Sequence, residues 1–107
     1  MSRMNLVTLT QYQKSVFAML RAERANTGAS EVAALVLLSA WNSDDFSLPV
    51  AELCRLDDDN FRHAMNVIEL RYYGAEPHRM VPNGNELFGE LCRRWAGCKS
   101  STAGAAA

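Results

Sequence analysis

Between Ser30 and Asn42 the chain reads S-E-V-A-A-L-V-L-L-S-A-W-N, a stretch with almost no polar face. Val32, Leu35, Val36, Leu37, Leu38 and Trp41 surround a helix on every side, and a helix that is apolar all round is buried all round. Ser30 is the expected N-cap, its hydroxyl accepting a bond from an otherwise orphaned backbone N–H. The pattern predicts a central helix over 31–42 with the other helices laid against it. Such a helix falls well short of the roughly 20 residues that a bilayer crossing needs.

The flanking segments carry weaker but readable patterns. Thr10-Gln11-Tyr12-Gln13 has the form of a capping box, and Tyr12, Val16, Phe17 and Leu20 recur at helical spacing, which predicts a first helix over 11–25. Asn26-Thr27-Gly28 ends it, and the short turn to Ser30 makes the first and central helices antiparallel neighbours. After the polar loop Asn42–Asp45, Ser47-Leu48-Pro49 opens a short helix over 48–55 with Val50, Leu53 and Cys54 inward. Asp57 caps a helix over 58–73 whose apolar stripe is Phe61, Ala64, Met65, Ile68 and Tyr72, and Gly74 stops it. Residues 75–85 read as loop, with one short extended segment at Arg79-Met80-Val81. Asn85 then caps a last helix over 86–96 that buries Leu87, Phe88, Leu91, Cys92 and Trp95, and Gly97 ends it. The fold class is all-α, a small single-domain bundle of about five helices spanning 1–97. Residues 98–107 are expected to be a disordered tail. The expected core is Tyr12, Val16, Phe17, Leu20, Val32, Leu35, Val36, Leu38, Trp41, Leu53, Phe61, Met65, Ile68, Leu87, Leu91 and Trp95.

Composition adds a charge asymmetry. The chain has 107 residues, 49% hydrophobic and 21% charged, with a net charge of −1. These values suit a folded globular chain that needs neither disulfides nor a metal. Residues 31–60 hold seven acidic side chains against Arg55 alone, between two mildly basic flanks. An acidic block of this kind favours a partner-binding surface, while Asp-rich helix starts are its plainer explanation. Cys54, Cys92 and Cys98 are odd in number and at no metal-ligand spacing, and Met1–Met4 leads into no apolar run. A reduced, cytoplasmic protein without a signal peptide is expected.

Motifs for chemistry are sparse. His63 and His78 have no Ser or Cys partner placed by sequence, so each is read as exposed and idle. Glu86 and Glu90 sit beside Arg93 and Arg94 as an ordinary ion-paired surface. Asp57-Asp58-Asp59 departs from a calcium loop, since Arg62 stands where the sharp-turn glycine is needed. No cofactor, no metal and no catalytic residue is expected.

Two resemblances add context. Phe46 to Gly74 resembles the helix-turn-helix of winged-helix regulators: a short helix, a tight turn at Leu56-Asp57, a longer helix, then a Pro/Gly loop in the place of a wing. That resemblance implies base contacts from Asn60, Arg62, His63 and Asn66, with Arg71 supporting. Three aspartates at the start of the recognition helix would meet phosphates, which disfavours DNA. Thr27-Gly28-Ala29-Ser30, Leu37-Leu38-Ser39-Ala40-Trp41-Asn42, Phe46-x-Leu48, Leu53 and Met65-x-x-Ile68 resemble a domain family of unknown function, over about Thr27 to Trp95. This second resemblance implies a setting on plasmids and integrative elements of proteobacteria. It departs at Ala40, where the family often has a second Trp, and at Glu76-Pro77, where it often has Tyr-Pro.

The expectation that follows is a non-enzymatic module that binds a protein partner through Asp44, Asp45, Glu52, Asp58 and Asp59. In its most concrete form it inhibits a nucleic-acid-handling host defence complex, in the style of anti-CRISPR proteins. The alternative is a nucleic-acid-binding accessory or regulator. A homodimer is also open, because Tyr72, Tyr73, Met80-Val81 and the last helix offer more apolar surface than a minimal bundle needs.

Overall fold

A computed structural model describes residues 6–99, with backbone only for 6–9. Four α-helices follow in order: α1 (Leu6–Arg24), α2 (Ser30–Trp41), α3 (Asp58–Tyr72) and α4 (Gly84–Arg94). Short 3-10 turns lie at Val50–Arg55, Pro77–Met80 and Ala96–Cys98, and there is no strand among the described residues. The fold is the expected all-α bundle. None of these helices is long and apolar enough to cross a membrane.

The central helix is buried as its sequence demands. Every residue from Val32 to Leu38 is buried, with Val36, Leu37 and Leu38 at 0% exposure. α1 packs along both α2 and α3, and α4 closes the bundle with the Pro77–Met80 turn wedged beside it. Phe46 returns from the loop after α2 to become one of the largest fully buried side chains.

Ser30 does not cap α2; it is the first helical residue, and Ala29 holds the cap position without a side-chain bond. The Ser30 hydroxyl instead accepts the Thr27 N–H at 2.9 Å and donates to the Ala22 carbonyl at 2.9 Å. The residue expected to satisfy its own helix thus ties the end of α1 to the start of α2. Likewise α1 begins at Leu6, so Thr10 lies inside the helix. No Gly or Pro precedes Thr10 to stop the backbone, and a capping pattern has no force where the helix simply continues.

The helix expected over 48–55 is a 3-10 turn at Val50–Arg55 with no buried side chain, and Val50 is 74% exposed. The turn is six residues long and of its side chains Leu53 leans on the core, with Leu48 just before it, too little apolar contact to hold α-helical turns in place. Residues 77–80, expected as loop beside an extended piece, form a 3-10 turn, so no wing follows α3. Asp57 caps α3 as expected, its carboxylate accepting the Asn60 N–H at 2.8 Å. Gly74, at φ +91°, ends the helix in a Schellman pair, Ala75 N–H to the Leu70 carbonyl and Gly74 N–H to that of Arg71.

α4 starts at Gly84 rather than at Glu86 and is preceded by Asn83 in the left-handed region at φ +58°, not capped by Asn85. Gly84 lies so close under the His78 backbone carbonyl that a Cβ there would collide with it. At the other end the chain passes through Gly97 in the Ala96–Cys98 turn, while 100–107 lie outside the described residues.

The largest correction concerns α3. Its buried face is Ala64, Val67 and Leu70, while Phe61 is 42% and Met65 41% exposed, Ile68 is half-buried and Tyr72 is 80% exposed. The helix is turned by its polar residues, because Asn66, His63 and Glu69 all bond to α1. Phe17 also faces outward, opposite the Tyr12, Val16 and Met19 stripe that enters the core.

These positions give a paired prediction. Leu38→Ala should lower unfolding free energy by about 2–5 kcal/mol, as a cavity in a closed core does. Phe17→Ala should cost no more than about 1.5 kcal/mol, because the ring is already partly in water. Urea denaturation of both variants checks the ranking, and equal losses would contradict the outward placement of Phe17.

Candidate functional site

The acidic residues fall into two groups. Asp45 accepts the Asn42 amide N–H at 3.1 Å and lies 3.8 Å from Lys99 Nζ, and Glu52 pairs with Arg55 at 3.0 Å. Asp44, Asp58 and Asp59 are exposed and have no ion pair among the described residues. Asp58 and Asp59 occupy the first turn of α3, where the helix dipole favours negative charge. Asp44 and Asp45 lie in the loop after α2, and Asp58 and Asp59 at the start of α3.

Of the residues implied by a base-reading helix, Arg62 and Arg71 are exposed and Asn60 is half-buried. His63 and Asn66 are turned toward α1. The Asn66 amide donates to Ser15 Oγ at 2.9 Å, and Ser15 Oγ lies 2.9 Å from His63 Nδ1. All three are satisfied when the Ser15 hydroxyl donates to Nδ1 and the imidazole proton sits on Nε2. Sequence placed no hydroxyl partner beside His63; the fold supplies one from a residue 48 positions away. Ser15 is fully buried, and its bonds to His63 and Asn66 tie α1 to α3. His78 is half-buried beside the Phe88 ring at 6.2 Å, not exposed, and its Nδ1 is buried without a hydrogen-bond partner among the described residues.

The main buried charge was not foreseen. Glu23 is 4% exposed; its Oε1 accepts Arg94 Nε at 2.7 Å and Trp95 Nε1 at 2.9 Å, and its Oε2 accepts Arg94 Nη2 at 3.0 Å. A signal did exist: Tyr12, Val16, Met19 and Glu23 form one helical stripe, which puts a carboxylate in line with the core. Burial pushes the Glu23 pKa upward, but the hydrogen bonds from Arg94 and Trp95 and the charges of Arg94 and Arg24 outweigh it and hold the carboxyl below its usual range. Nearby, burial and the bond to Glu31 push the Cys98 thiol up. Across the bundle, burial and the bond to Glu69 raise the Tyr12 phenol to about 12.

Glu23, Arg24, Arg55, Arg94 and Trp95 line an open cleft of about 790 Å³ at the α1–α2 turn. Arg94 is held by Glu23, Arg24 faces Glu90 at 3.7 Å, and Arg55 pairs with Glu52. Each of these guanidinium groups has a carboxylate partner, Arg94 in a fork on the buried Glu23 and Arg24 and Arg55 at the surface.

A family model covers residues 13–96, from within α1 to the first residue of the last 3-10 turn. The chain belongs to a family of unknown function, DUF7673. The match takes in the whole of Thr27 to Trp95 and adds most of α1, so the Glu23–Arg94–Trp95 clamp of this DUF7673 member lies inside the family's span. No curated protein and no solved structure matches the chain.

The clamp has a pH consequence. The native Glu23 carboxyl has a pKa below its unfolded value, so the unfolded chain binds more protons in acid and stability rises with pH there. The contribution is complete above the ordinary value of 4.5 and is lost as pH falls through the lower native value. Glu23→Gln should cost about 1–3 kcal/mol at pH 7 by weakening charge-assisted bonds. Urea denaturation at pH 7 and in acid should show the gap between parent and variant closing as the parent protonates; a constant gap would contradict the assignment.

Proposed function

We propose that this DUF7673 member is a non-enzymatic binding module that acts by occupying a basic surface on a protein partner. The observation that carries this reading is that Asp44, Asp58 and Asp59 stay exposed and without an ion pair among the described residues. Carboxylates spaced on a loop and a helix start steer an approaching cationic surface and set its register, a contribution that weakens as salt rises. Asp45 and Glu52 contribute less, because Lys99 and Arg55 already neutralise them. Asp57 belongs to the fold as the α3 cap.

In its most concrete form the partner is a nucleic-acid-handling defence complex of a bacterial host, and the protein is an inhibitor carried by a mobile element, in the style of anti-CRISPR proteins. Support for that setting is the resemblance to a plasmid- and element-borne family together with the acidic character of the exposed residues. The nucleic-acid-binding alternative is less favoured, since His63 and Asn66 are committed to Ser15 and only Arg62 and Arg71 of its five residues are fully available.

The test is a pull-down from a bacterial lysate with the parent and with Asp44→Asn, Asp58→Asn and Asp59→Asn combined, leaving the Asp57 cap intact. The parent should recover a basic, nucleic-acid-handling complex, with recovery falling at least about tenfold in the variant and declining with salt. Equal recovery by both would overturn the acidic interface. Recovery of duplex DNA alone would transfer the case to the nucleic-acid reading.

A further inference from the structure

Phe61, Met65, Ile68 and Tyr72 follow one another along the outer face of α3 at steps of four, three and four residues. That is the spacing of a two-heptad coiled-coil seam, narrower than the stripe by which a helix faces a globular core. The seam is open: Phe61 is 42%, Met65 41% and Tyr72 80% exposed, and Ile68 is half-buried. The edge of the Tyr73 ring rests on Tyr72 at 5.1 Å, which holds the most exposed ring of the seam in place.

We infer that α3 is the seam of a homodimer, in which it pairs antiparallel with α3 of a second copy of this chain. The charges beside the seam single out this occupant. Arg62 and Glu69 lie one heptad apart on the same flank. A two-fold axis between Met65 and Ile68 brings Arg62 of each copy opposite Glu69 of the other. Arg62 has no ion pair among the described residues, and Glu69 gives one oxygen to the Tyr12 hydroxyl, leaving its second free. A parallel pairing is disfavoured, because it sets Asp58 against Asp58 one heptad before Met65 and aligns two helix dipoles.

The same axis packs Phe61 of one copy against Tyr72 of the other, and Met65 against Ile68. Beside Tyr72, a shallow groove of about 340 Å³ lined by Ser39, Ala40, Ile68 and Arg71 receives the incoming Phe61 ring. With Tyr73, the seam exposes about 400 Å² of side chain per copy, taking about 150–250 Å² for each large aromatic. A stable complex buries about 800 Å² per partner, so the dimer belongs to the weak class, with a dissociation constant on the order of micromolar. The inference does not depend on the acidic residues having a partner.

The experiment is sedimentation velocity of the full chain with a reductant present, across about 1 to 100 µM. The parent should move from monomer to dimer over this range. Met65→Glu should weaken association at least about 100-fold, as loss of a central apolar anchor does. Arg62→Glu should weaken it about tenfold at low salt, with the difference shrinking as salt rises. Phe17→Ala, exposed on α1 and outside the seam, should leave it unchanged. Circular dichroism establishes that each variant is folded; if Met65→Glu unfolds, Tyr72→Ser decides, since a ring 80% in water is not holding the monomer together. A parent that stays monomeric throughout overturns the inference. So does a dimer indifferent to Met65→Glu, Arg62→Glu and Tyr72→Ser.

Discussion

Covering one helix on all sides is the constraint that arranges this chain. α2 presents no polar face, so each remaining element must contribute a side to it, and a short chain has few elements to give. α1 and α3 take the long sides, while Phe46, α4 and the turn at Pro77 fill the rest. The arrangement leaves the Val50–Arg55 segment with little more than Leu53 against the core, which is why a stretch read as helix settles for a 3-10 turn. It also leaves apolar residues over, because the faces of α1 and α3 opposite α2 have no third layer to meet.

Polar contacts then choose which face each helix turns inward. Hydrophobic burial alone would accept the Phe61, Met65 and Ile68 side of α3 as readily as the Ala64, Val67 and Leu70 side, since burial energy is not directional. Ser15 with His63 and Asn66, and Tyr12 with Glu69, are directional and fix the rotation. The outcome places the larger apolar side chains of α3, Phe61, Met65 and Tyr72, on its outer face.

The Glu23 clamp works on the same principle at the other end of α1. A buried carboxylate is tolerable only when its lone pairs are answered, and here a forked guanidinium and an indole N–H answer them from α4 and the residue just after it. Those bonds tie the last helix to the first. Arg24 and Arg55, beside the clamp, are also paired, while Asp44, Asp58 and Asp59 have no ion pair among the described residues.

By itself the sequence determined the fold class, the burial of Val32–Leu38, the Asp57 cap and the Gly74 stop. Each of these depends on neighbours a few residues away or on a period that needs no partner to be seen. It also held the clue to Glu23, a charge at a core register after Tyr12, Val16 and Met19. Tertiary structure decided the rest: that Ser30 staples two helices instead of capping one, that Ser15 completes His63, and that α3 turns Phe61 and Met65 to the outside. The apolar stripe of α3 was legible, but not which side of it would face the core, because its rotation is set by hydroxyls and a carboxylate that meet only across the folded bundle. Periodicity reports that a helix has two unlike faces; directional bonds between distant residues decide which of them is buried.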